Sequence, residues 1–175
     1  MGFEYRIKDQ HGLYFITCTV NQWVDVFTRQ TYTDILINSL KYCQEHKGLK
    51  IYAWVIMTNH IHMIISSDGE KLSNIIRDFK KFTASTIFRA IEMNDRESRR
   101  KWMLWLLKRD ENIFFWKEGY HGEEIYSESF CQSKVEYIHT NPVRAGIVEK
   151  EEEYLLSSCG DFYGVRKGPI DLEPL

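Results

Sequence analysis

Little in this sequence divides it into pieces or ties it together covalently. Only three of its 175 residues are proline (Pro142, Pro169, Pro174), and two of these lie near the C-terminus. No Gly/Ser-rich linker, low-complexity stretch or internal repeat is visible. The chain therefore reads as one domain over 1–175, with a core over about 10–148 and a C-terminal extension over 149–175. Cysteine is sparse too: Cys18, Cys43, Cys131 and Cys159 are scattered, with no Cys-x-x-Cys pair. That excludes an evident zinc ribbon and fits reduced thiols in a cytosol. No apolar run approaches the length of about 18 residues needed to cross a bilayer, and the first residues contain no apolar signal core. A soluble, cytoplasmic protein with no membrane partner is expected.

Positive charge is also lacking overall: the formal net charge is -2, which excludes a uniformly basic coat for nucleic acid. The distribution is more informative. From Lys71 to Arg109 there are eleven lysines and arginines against four acids, whereas from Glu118 onward twelve acids stand against five bases. A local basic surface on an acidic protein suits a phosphate-binding face, and suits an ordinary solvated helix equally well. What the chain has in quantity is aromatic residues, 14% of the total with ten tyrosines, enough to build a core or to stack on bases.

The patterning alternates strand and helix. Leu13 to Val20 is rich in β-branched and aromatic residues and reads as a strand. Ile35, Leu36, Ser39, Leu40 and Cys43 recur at helical spacing, predicting a helix over Thr33–His46 stopped by Gly48. Leu49–Met57 and His60–Ser66 read as two strands around Thr58-Asn59, a hairpin. Leu72, Ile75, Ile76, Phe79, Phe82, Thr83 and Ile87 share a face of a helix expected to reach Met93. Beyond it, Trp102–Leu107 suggests a short helix and Ile113–Trp116 a short strand. A last helix is expected from Glu128 or Ser129 to about Thr140, ended by Pro142. The order predicts an α+β protein with a ferredoxin-like (RRM-like) split β-α-β core. Its sheet would be antiparallel with helices on one face, plus a C-terminal helix.

Two constellations carry chemistry. In His60-Ile61-His62 the residues two apart on a strand project from the same face while Ile61 faces the other way. Two imidazoles at that spacing suit a shared divalent cation, although a lone His-x-His on a strand is usually incidental. In Tyr137-Ile138-His139-Thr140-Asn141-Pro142, Tyr137 and Asn141 are four apart and share a helical face. Asn141 could supply an amide oxygen to a metal. Tyr137, whose phenol with a pKa of about 10 is a poor nucleophile unaided, would lie near the same ion. Taken alone, a helix end in which Tyr137 packs and Asn141 caps is the simpler reading.

Met57-Thr58-Asn59-His60-Ile61-His62 resembles the HUH signature, two histidines flanking a hydrophobic residue. Tyr137 to Val148 resembles the tyrosine segment of the REP-associated tyrosine transposases, which belong to the single-tyrosine HUH transposases similar to insertion sequence 200. Ile75 to Thr83 is similar to the family's basic helix, Phe115 to His121 to its tryptophan element, and Tyr154 to Ser158 to its closing aromatic–Ser-Ser segment. The resemblance spans about residues 10 to 165. There are departures: Thr58 replaces a usual proline, and His121-Gly122-Glu123-Glu124 differs from the usual aspartate–histidine run. Asn141 stands where the insertion-sequence branch has glutamine.

The resemblance implies metal-dependent cleavage and strand transfer of single-stranded or hairpin DNA, through a 5′-phosphotyrosine on Tyr137. His60, His62 and Asn141 would hold Mg²⁺ or Mn²⁺. DNA contacts are expected from Arg77, Lys80, Lys81 and Arg144, with stacking by Trp116 and Tyr120. His139 would point some 200° away from Tyr137 on a helix, so it is not a general base for it. Relatives act as homodimers sharing active sites or as monomers with the tyrosine in cis, and both arrangements stay open here. The rivals are a non-catalytic, domesticated nucleic-acid-binding protein on the same fold, and a hydrolase that uses water at the histidine pair.

Overall fold

The first strand forms where the sequence alternates two apolar sets. In β1 (Tyr14–Thr19), Ile16 and Cys18 point into one core while Phe15 points into another. The computed structural model describes residues 7–175. After β1, a tight turn at Asn21–Trp23 leads to α1 (Gln30–Lys47), which ends where Gly48 takes the left-handed conformation at φ 73°. A side chain at Gly48 would also meet the Gly69 backbone at 2.6 Å, so glycine is required there on two counts. The hairpin follows, β2 (Leu49–Ile56) and β3 (His60–Ser67), then α2 (Leu72–Met93) and α3 (Arg100–Leu107). A small ribbon of β4 (Lys108–Arg109) and β5 (Asn112–Ile113) comes next. The last elements are β6 (His121–Glu124), α4 (Glu128–Arg144) and the single-turn α5 (Cys159–Phe162).

The sheet order is β2-β3-β1-β6, every neighbouring pair antiparallel, which is the α+β split β-α-β arrangement expected. Helices α1 and α2 cover one face through Leu36, Leu40, Ile75, Phe79 and Ile87. The opposite face carries α4, whose Ile138 is fully buried against Phe15, Ala53, Val55 and Ile64. A bulge in β2 between Ile51 and Ala53 makes this two-sided burial work. Without the extra residue, Ala53 and Val55 would continue on the face of Ile51; with it, Trp54 and Ile56 join Ile51 while Ala53 and Val55 turn to α4.

Two expectations need correction. The fourth strand is His121–Glu124, not Ile113–Trp116. Phe115 and Trp116 are apolar because they fill the core from irregular backbone, with a single bridge from Trp116 to Val20. The true strand lies at an edge and contributes mainly backbone hydrogen bonds, so it carries no β-rich side chains. Helix α4 also runs through Pro142 to Arg144. Pro142 removes only the bond its own N–H would make, and the Ala145 N–H still donates to the Asn141 carbonyl at 3.0 Å.

The C-terminal segment lies along β2 rather than trailing away. Ile56 N–H donates to the Leu156 carbonyl, Ser158 N–H to the Trp54 carbonyl, and Glu173 N–H to the Ile51 carbonyl. This backbone covers an edge that would otherwise be open to another strand. The four cysteines are free. Among the described residues no helix is long and apolar enough to cross a membrane.

The loop between α2 and α3 is fastened by Glu97. Its buried carboxylate meets Arg29 Nε at 2.5 Å and Arg99 Nε at 3.2 Å. Burial opposes ionisation, but the bonds from Arg29 and Arg99 outweigh it and hold Glu97 at about 2, below its ordinary 4.5. A depressed carboxylate contributes stability that is fully present above the unfolded value and lost as pH falls towards the folded one. Glu97→Gln should therefore lose about 2 kcal/mol at neutral pH, a buried-pair figure reduced because both arginines are partly solvated. Urea denaturation should show the gap to the parent closing between about pH 4.5 and pH 2. An equal gap at both ends of that range would refute the ionic origin.

Candidate active site

The strand geometry of β3 does what its alternation requires. Ile61 enters the main core at 1% exposure, while His60 and His62 project from the opposite face, their ring centroids 4.7 Å apart. Each imidazole is held through Nδ1. His60 Nδ1 lies 2.7 Å from Asn59 Oδ1, and the amide's orientation is set because its Nδ2 donates to Asp25 Oδ1 at 2.9 Å and to the Trp23 carbonyl at 3.3 Å. The oxygen must then accept from His60, which places the proton on Nδ1 and a lone pair on Nε2. His62 Nδ1 meets Thr17 Oγ1 at 2.7 Å across the β1–β3 pairing, and its Nε2 is buried with no hydrogen-bond partner.

Burial pushes both histidines below the ordinary value. For His62 it acts first, with the positive fields of His60, Lys134 and His121 adding to it, and the result is about 3. Two neutral imidazoles with free Nε2 atoms are the ligand form that a divalent metal needs, and hydrogen bonds at Nδ1 are the usual way of aiming such ligands. The residues present thus fit a metal. Among the described residues no group of three His, Cys, Asp or Glu side chains could hold one. Asn141, the other expected ligand, is half-buried on α4 one turn after Tyr137.

Helix α4 begins at Ser127, whose hydroxyl accepts from the Phe130 N–H at 3.2 Å, and this cap sets the phase of the turns that follow. Burying Ile138 turns Tyr137 over the histidine face. The Tyr137 ring centroid lies 5.2 Å from that of His62, edge-on at 74°, and 5.9 Å from that of Phe15, which itself stacks on His62 at 5.4 Å. Arg144, two turns later, places its guanidinium carbon 5.4 Å from the Tyr137 ring centroid. His139 points the other way, bonded to Ser158 Oγ at 2.9 Å and edge-on to Phe162.

Residues 10–141 match the family model described as IS200-like transposase. The chain belongs to the IS200-like transposases. A solved structure of a REP-associated tyrosine transposase bound to a REP hairpin superimposes with a TM-score of 0.69 at 18% identity, covering 100% of this chain and 94% of that one. A protein from Deinococcus radiodurans described as a transposase aligns with a TM-score of 0.48 at 15% identity, over 79% of this chain and 92% of its own. A comparison with curated proteins finds no match.

The fold places this transposase's other candidate residues unevenly. Arg144 alone among the expected DNA contacts joins Tyr137. Lys81 and Arg77 are exposed on α2, the latter paired with Asp78 at 2.8 Å. Lys80 is turned inward and donates to the carbonyls of Lys117 and Gly119, with burial pushing its ammonium below the ordinary value. It ties α2 to the loop before β6 from the wall of a surface cleft. Trp116 is 8% exposed, donates to Thr83 Oγ1 at 3.0 Å and packs among Phe27, Phe79 and Phe115, leaving only a small surface on the cleft that Lys81 also lines. Tyr120 is half-buried against the same core.

Several site residues escaped the sequence reading. Lys134, one turn before Tyr137, reaches Glu123 at 2.9 Å and stands 4.5 Å from the Phe15 ring centroid. Burial resists ionisation of Glu123, but bonds from Lys134 and His121 outweigh it and keep the carboxylate below its usual range. Asn59 was part of a recognised motif, yet its partner Asp25 lies 34 residues away, a pairing only the fold reveals. Asn59→Ala should weaken Mn²⁺ binding by about ten- to a hundredfold, since His60 loses the acceptor that aims it. Calorimetric titration checks this, and unchanged affinity would show that Asn59 does not orient the ligand.

Proposed function

We propose that this transposase cuts and rejoins single-stranded DNA through a covalent bond to Tyr137. The observation that carries the reading is the Tyr137 ring standing 5.2 Å from His62 over the face to which the paired imidazoles project. His60, His62 and Asn141 would hold Mg²⁺ or Mn²⁺, oxygen-tolerant ions suited to a mixed nitrogen and amide set. Such an ion, when bound, polarises the scissile phosphate and favours phenolate.

The phenolic oxygen of Tyr137 attacks phosphorus, the bond from phosphorus to the 3′ oxygen breaks, and the chain is left with a 5′-phosphotyrosine and a DNA 3′-hydroxyl. The phenol's proton passes to solvent, and the leaving 3′ oxygen takes one up. A 3′-hydroxyl attacking the phosphotyrosine reverses the exchange and joins strands without an external energy source. Arg144, over the Tyr137 ring, would put positive charge beside the developing phosphorane, while the charge of Lys134 is shared with Glu123. Tyr137 stands beside His62 of its own chain, which supports a site completed in cis. The REP hairpin held by the solved relative suggests hairpin-bearing repeat DNA as the substrate class.

The test is to incubate the protein and Mn²⁺ with labelled single strands from the flanks of its own gene. A denaturation-resistant adduct that maps to Tyr137 is expected. Cleavage with no covalent species would support water as the nucleophile instead.

A further inference from the structure

Besides Tyr137, an exposed aromatic ring stands beside the histidine pair at Trp23, which the sequence did not single out. It lies in the turn between β1 and α1, 56% exposed, with its ring centroid 6.0 Å from that of His60. Gln22 and Trp23 both have φ of 55°, a left-handed conformation that non-glycine residues seldom adopt, and here in succession. The segment is held there by two elements. Asn59 Nδ2 donates to the Trp23 carbonyl at 3.3 Å, and the Asn21 N–H donates to the Phe115 carbonyl at 2.7 Å. Strained backbone that its surroundings maintain, carrying a large ring to the surface, is a feature that clusters at ligand clamps.

Lys117 supplies the second half of the arrangement. Its ammonium lies 4.0 Å from the Trp23 ring centroid, and its backbone N–H is fixed to the Thr19 carbonyl at 2.8 Å. We propose that Trp23 and Lys117 form a nucleotide station beside the histidine pair, the indole stacking on a base of single-stranded DNA and the ammonium pairing with the adjoining phosphate. An aromatic face together with a cation matches the two parts of a nucleotide, and stacking of this kind tolerates any base. The same pairing recurs further along. From Asn21 the surface opens into a cleft of about 610 Å³ whose lining includes Lys80, Lys81, Arg109, Phe114, Trp116 and Glu118, and Arg109 lies 5.5 Å from the Phe114 ring centroid. A strand leaving the histidines would thus meet two rings, each with its own cation.

The identity of the occupant rests on the cleavage reading above, so the test separates the two. In full-length Tyr137→Phe protein, where no adduct can form, fluorescence anisotropy with a short thymidylate oligonucleotide is compared with an abasic oligonucleotide of equal length. The base-bearing strand is expected to bind about tenfold tighter, Trp23→Ala to erase that preference, and Trp23→Phe to keep most of it. Lys117→Gln is expected to keep the preference while lowering the slope of affinity against salt by about one charge. Equal binding of the two strands by the unsubstituted ring, or a preference unchanged in Trp23→Ala with its melting temperature intact, overturns the proposal. Absence of an adduct with Tyr137 in place would count against cleavage and leave this result standing.

Discussion

Tyr137→Phe is expected to form no covalent DNA adduct, with cleavage reduced by at least about a thousandfold, as removal of an attacking group does elsewhere. The change deletes one oxygen and leaves the ring, so the edge contacts to His62 and Phe15 and the Arg144 interaction persist. At 36% exposure the Tyr137 side chain is not a core element, and melting should change little. Binding of single-stranded DNA should survive, because the contacts proposed for Lys117, Arg109 and Lys81 are untouched. This combination separates the readings. A non-catalytic DNA-binding protein on the same fold would show no adduct with either residue. A hydrolase using water would still cut when the phenol is gone. Denaturing gels with end-labelled oligonucleotides read all three outcomes, and an adduct that persists in the Phe protein would remove Tyr137 from the chemistry.

How much of this was legible beforehand depended on whether a residue's role was local. The alternation of His60, Ile61 and His62 is a property of any strand, and the face shared by Tyr137 and Asn141 is a property of any helix, so both could be read from spacing. Helix α2 was bounded correctly because its apolar face is long and periodic. What spacing could not supply depended on distant partners. Lys80 looks like a phosphate contact in a basic run, but two backbone carbonyls from the segment before β6 claim its ammonium. Trp116 looks like a stacking residue, but its indole N–H finds Thr83 in the core. Strand β6 contains no β-rich residue at all, since an edge strand needs only backbone. Trp23 gave no signal, because left-handed φ angles at Gln22 and Trp23 are imposed by neighbours rather than chosen by those residue types.

His62→Ala is expected to have the next largest effect, weakening Mn²⁺ binding by at least about a hundredfold and removing adduct formation with it. The two histidines should not be equivalent. His62 is the more buried, and its unpartnered Nε2 is a polar atom that the fold keeps dry, a cost tolerated where a ligand completes the site. Losing it also frees the Thr17 hydroxyl and unstacks Phe15, so melting in the absence of metal must be recorded alongside affinity. The pH dependence gives an independent check. With His62 held near 3 in the folded protein against an ordinary 6.5, the native state binds fewer protons than the unfolded chain between those values. Stability from this group is therefore full above about pH 6.5 and declines as pH falls towards 3. His62→Ala should flatten that decline even though it lowers stability at neutral pH. Bound metal should steepen it, because metal and proton compete for the same Nε2 lone pair. A decline equally steep with and without the His62 imidazole would place the acid sensitivity elsewhere and leave the buried Nε2 unexplained.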